Sequence, residues 1–137
     1  MFGLSKDERQ KSEAISEGLD LVLRQLNEAI YTTADALDIN QGGDKFKQTR
    51  YLAVIFAFAT ALGVRVGANS AIRDRALRDY FYAFKDGKEL LNITLYGNLY
   101  MKHQKLMDKV ADYCKLAELG HMSDELTMSL AQVYLMS

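Results

Sequence analysis

Proline is absent from the 137 residues, although average usage of about 5% would place roughly seven. Proline removes a backbone donor and clashes with the preceding turn, so its absence takes away the commonest interruption of long helices. Cysteine occurs once, at Cys114. A lone cysteine excludes an internal disulfide and fits a reducing compartment. Charge of one sign does not dominate either: 17 basic and 18 acidic side chains leave a net charge of −1. The amino-terminal stretch MFGLSKDERQ lacks an apolar signal core, and its glycine is third rather than second, so neither export nor myristoylation is expected. Cytoplasmic localisation is the corresponding expectation. Asn92-Ile93-Thr94 matches a glycosylation acceptor, which has no meaning without secretion. The fourteen charge-free residues between Arg50 and Arg65 span about 21 Å as a helix, short of the roughly 30 Å hydrocarbon layer, so no membrane span is expected.

What is present is helical periodicity. Ser5 and Glu8 form a capping box that predicts a helix start. From there Ile15, Leu19, Val22, Leu26, Ala29, Thr33 and Ala36 recur in steps of four and three, with Leu23, Ile30 and Leu37 widening the stripe, up to the break NQGG. Gly18 weakens that helix by about 1 kcal/mol relative to alanine. Asp44 is placed to cap a second helix over about 44–67, apolar on every side from Tyr51 to Leu62 and therefore expected at the centre of the fold. One face of it is bulky, with Tyr51, Ile55, Phe58 and Leu62. The other is small, with Ala53, Ala57, Thr60, Val64 and Gly67, and predicts close approach of another helix within the chain or across a dimer axis.

Two glycines followed by Asn69 and Ser70 predict a kink or short break near 67–70. A third segment should bury Ile72, Ala76, Leu77, Tyr80, Phe81 and Phe84 and stop at Gly87. The fourth helix is expected over about 89–119, with Tyr96, Tyr100, His103, Met107, Val110, Cys114 and Ala117 as its core stripe, ended by Gly120. Gly97 lies inside it, able to bend it. Ser123 should cap a short last helix that docks through Leu126, Leu130, Val133 and Tyr134. No strand-like alternation of useful length occurs. The reading is an all-α, single-domain chain over 1–137, an antiparallel bundle of four or five helices.

Chemistry-bearing motifs are sparse. Helical metal centres usually draw a Glu-x-x-His pair from each of two helices; here one match, Glu118 to His121, is interrupted by Gly120. His103 and Cys114 stand about 16 Å apart along one helix, too far to act as a pair. GVRVGAN lacks the Lys-Ser or Lys-Thr of a phosphate loop and follows no strand. No metal, cofactor or catalytic residue is assigned. Charge is unevenly spread: residues 44–88 carry nine basic and four acidic side chains, against four and eight in residues 1–43 and four and six in residues 89–137. In a continuous helix Arg75, Arg78, Tyr82 and Lys85 share one face. Such a face suits phosphate groups with Tyr82 stacking on a base, or ion pairs of Asp74 with Arg78 and Arg75 with Asp79.

The functional expectation is an interaction protein, self-associating as a homodimer, that recognises another macromolecule, with a protein favoured over nucleic acid. The alternatives are a polyanion binder acting through the basic middle segment, and an enzyme or carrier with an apolar pocket near Phe58 and Tyr100.

Overall fold

The computed structural model describes residues 4–36, 49–116 and 123–137. Among these there are six helices and no strand: α1 Lys6–Ala36, α2 Thr49–Val66, α3 Ser70–Phe81, α4 Gly87–Tyr96, α5 Leu99–Leu116 and α6 Asp124–Leu135. The Asn40–Asp44 break, the Asp44 cap, Gly120 and the Glu118–His121 pair lie outside the described residues.

Local chemistry sets the starts. The Ser5 hydroxyl accepts from the Glu8 amide at 3.1 Å while a Glu8 carboxylate oxygen accepts from the Ser5 amide at 3.1 Å, the reciprocal bonds of a capping box. Asn69 caps α3 through Ile72 N–H at 3.0 Å, and Ser123 caps α6 through Leu126 N–H at 3.2 Å. Between α2 and α3 Gly67 takes φ +72°, a conformation that suits glycine, and the chain breaks there.

α2 is the centre of the bundle. It packs against α1, α3, α4 and α5, while α6 lies against both α1 and α5. Tyr51, Ile55, Phe58 and Leu62 are buried, as are Ile15, Leu19, Leu23 and Leu26 of α1 facing them in the same core. By length and composition α2 passes as a membrane-crossing helix, a test that buried core helices also pass; ten of its eighteen residues are buried in this fold. At its start Tyr51 donates to Asn27 Oδ1 at 2.6 Å and meets Tyr134 edge-on, with ring centroids 6.1 Å apart, joining α1, α2 and α6.

Two long segments divide, which raises the helix count above four or five. The third stops at Phe81, not at Gly87. Phe84 N–H bonds Phe81 C=O and Gly87 N–H bonds Phe84 C=O, forming a turn that lays Phe84 against the rings of Tyr80 and Phe81. Gly87 opens α4 instead, and a Cβ there would run into the Phe81 carbonyl. The fourth segment divides at Gly97-Asn98, where Asn98 takes φ +58°. The expected core stripe holds only beyond the irregular His103, where Met107 and Val110 are buried with Leu106 beside them; before it Tyr96 is 78% exposed and Tyr100 is also exposed.

Gly63 yields a stability prediction. It is buried inside α2, and a Cβ there would meet Ile15, Ala68 and Arg73 at 3.7–3.9 Å, ordinary contact distances. Gly63→Ala is therefore expected to stabilise the fold by about 0.5–1 kcal/mol through lower unfolded-chain entropy and better helix propensity. A urea midpoint at or below that of the unaltered chain would refute the open space at this position.

Candidate binding grooves and the basic surface

The small face of α2 is used in two ways. Ala53 and Ala57 are covered inside the chain, Thr60 is half-buried, and Val64 is 77% exposed. Gly67 lies beyond the end of the helix, with only Lys11 Nζ within 4 Å of a notional Cβ, so it forms no packing seam. The exposed half of this face is the floor of a groove between α2 and α5, about 480 Å³ in volume. Phe56, Ala57, Thr60 and Val64 line it from α2, and Tyr100, Met107, Ala111 and Cys114 from α5. Phe58, which the apolar-pocket reading named, is sealed in the core; its near neighbour Phe56 is the groove residue. Phe56 carries the Arg73 guanidinium 4.6 Å from its ring centroid, and Arg73 is held in turn by Asp74 at 2.9 Å.

The groove is chemically quiet. Burial pushes the Cys114 thiol up to about 11, so it is protonated at neutral pH and is a small apolar wall rather than a nucleophile. Asp108 accepts from the Tyr100 hydroxyl at 3.1 Å and thereby holds that phenol above its ordinary range. Arg65 and Lys115 stand at the rim.

A second, larger groove of about 930 Å³ opens between α5 and α6. Lys102, Lys105 and Lys109 line one wall and Val133 and Met136 the other. At its end His103 departs from helical geometry, with φ −130° and ψ 33°, and its Nε2 lies 2.9 Å from the Thr49 hydroxyl, tying the irregular point of α5 to the start of α2. Burial, with Lys102 and Arg50 nearby, lowers the His103 pKa. Among the described residues no group of three or more His, Cys, Asp or Glu is placed to hold a metal ion.

Arg75, Arg78, Tyr82 and Lys85 are all exposed or half-exposed, but they do not share one helix face. Arg75 and Arg78 are on α3, Tyr82 is its C-cap and Lys85 belongs to the turn before α4. Arg75 Nε is 3.6 Å from Asp79, as spacing implied; Asp74 pairs with Arg73 rather than with Arg78. Neither Arg78 nor Lys85 has an ion-pair partner among the described residues. No protein-family model matches the chain, and no curated protein or solved structure does either.

Sequence reasoning misses the lysine groove because its walls come from two helices. Its one local signal is the row of Lys102, Lys105 and Lys109 at offsets of three and seven, beside a methionine.

Proposed function

We propose that the chain is an interaction protein whose α2/α5 groove receives an apolar anchor from another protein. One observation carries this reading. A fold that buries most of α2 leaves Val64 at 77% exposure, beside a groove lined by Phe56, Tyr100, Met107 and Cys114. Apolar concavities rimmed by polar groups are where partner side chains insert and where most binding energy concentrates. Arg65, Asp108 and Lys115 supply such a rim.

A photo-crosslinking residue at Val64 tests it, with one at exposed Glu89 on α4 as control. The expected result is a protein adduct formed in the native cell at position 64 and absent at 89, and lost when Ala61→Glu is added. Adducts at neither position, or equal adducts at both, would overturn the reading. A small-molecule adduct at 64 alone would overturn it in favour of a carrier.

The polyanion reading has one favourable observation, Arg78 and Lys85 without ion-pair partners among the described residues, beside exposed Tyr82. These groups are spread over a helix end and a turn, whereas the α2/α5 groove gathers its apolar residues in one concavity, so the groove is the better supported site.

A further inference from the structure

The α5/α6 groove has a distinct charge pattern. Lys102, Lys105 and Lys109 line it together with exposed Met101, and none of the three lysines is ion-paired among the described residues. His103 interrupts helical geometry between Lys102 and Lys105, yet all three lysines line the groove, an array suited to several anions in line. A helix bearing carboxylates at matching intervals meets that requirement, with methionines supplying an adaptable apolar contact.

Such a helix is present in the chain itself. The outer face of α1 exposes Glu13, Glu17 and Asp20, and beside them Leu21, a large apolar side chain left 43% exposed. From Asp20 backwards the acidic intervals are three and four; from Lys102 forwards the basic intervals are also three and four. Laid antiparallel, one register sets Lys105 opposite Glu17 and Lys109 opposite Glu13 along the regular part of α5, with Lys102, before the irregular His103, toward the Asp20 end. Met101 and Leu21, next to Lys102 and Asp20, are exposed apolar residues at corresponding ends of the two rows. Asp20 also pairs with Arg24 on its own helix.

The geometry points to the α5/α6 groove as a self-association site that takes α1 of a second copy of this chain. Each copy carries both the acidic row and the basic groove, so a twofold pairing makes the contact twice. This surface is separate from the α2/α5 groove, and the proposal stands or falls independently of the reading given to that groove.

Sedimentation of the full chain with charge-reversed variants tests it. At about 100 µM protein and about 50 mM salt the unaltered chain should sediment as a dimer, and it should shift toward monomer at about 500 mM salt, because exposed charges are screened. Lys102→Glu, Lys105→Glu, Lys109→Glu should be monomeric, as should Glu13→Lys, Glu17→Lys, Asp20→Lys, each with unchanged far-UV circular dichroism. An equimolar mixture of the two reversed chains restores both charge patterns and should recover the dimer. Val64→Glu should leave the mass unchanged. A monomeric unaltered chain would overturn the proposal, leaving the groove to an acidic helix of another protein. So would a dimer indifferent to both reversals, or reversed chains that fail to associate when mixed. Should a reversed chain not fold, lysine-to-glutamine substitutions at the same three positions replace it, with loss of the dimer expected and retention of the dimer overturning the proposal.

Discussion

Alanine at Phe58 is expected to remove about 3–5 kcal/mol of stability, a large share of the roughly 5–15 kcal/mol that holds a domain of this size together. Phe58 is 1% exposed on the helix that four others surround. Truncation forfeits the transfer energy of the ring and leaves a cavity that cannot collapse, because the backbone of α2 is held from several sides. Phe56 is the internal control. It is two residues away on the same helix but half-buried, with its ring covered by Arg73 at the groove, so Phe56→Ala should cost markedly less. Urea unfolding with an unchanged slope measures both. A loss below about 1 kcal/mol at Phe58, or equal losses at the two positions, would contradict the placement of α2 at the centre.

Raising the pH should unfold the chain cooperatively. Burial raises the pKa of Tyr51 well above the ordinary tyrosine value, that of Tyr80 to about 12 with Asp20 adding to the effect, and that of Tyr134 above its usual range; Cys114 is raised to about 11. Each of these groups holds its proton more tightly folded than unfolded. Their contribution is complete below the unfolded values, near 8.5 for the thiol and 10 for the phenols, and is lost as pH climbs through the folded values. Helicity followed by circular dichroism should therefore fall between about pH 10 and 12, with tyrosinate absorbance appearing in the same transition. Tyr51→Phe separates the causes. At neutral pH it orphans Asn27 Oδ1, at a cost of about 1–3 kcal/mol, and it removes one titrating group, so the remaining stability should fall less steeply with pH. Full helicity at pH 12, with tyrosinate forming as in free tyrosine, would refute the buried environments.

Helix starts and the identity of the core helix are legible in the sequence. Ser5 with Glu8, Asn69 and Ser123 cap in the expected places, because a cap depends on a hydroxyl or amide within three residues of the amides it satisfies. The α1 stripe from Ile15 to Thr33 and the break at Gly67 follow for the same reason: period and left-handed propensity act within one or two turns. The grooves are less legible. Periodicity puts Tyr100 and Cys114 on one core stripe, yet the non-helical His103 parts Tyr100 from the turns beyond it, and Tyr100 is exposed at the groove while Cys114 lies at its half-buried wall.

By itself, then, the sequence determined an all-helical chain, where its helices begin, and which one is too apolar to face water. Tertiary structure decided where the long segments divide and what each face meets. Gly87 reads as a helix end and instead begins α4 against the Phe81 carbonyl; Gly18 reads as a weakness and is where α1 comes close against the Leu62 side chain. Ala57 and Val64, two turns apart on the same face, end respectively under cover and in solvent. The physical reason is range: propensity and periodicity act along a few turns of one helix, whereas burial depends on neighbours brought in from tens of residues away, whose phase is reset at every break.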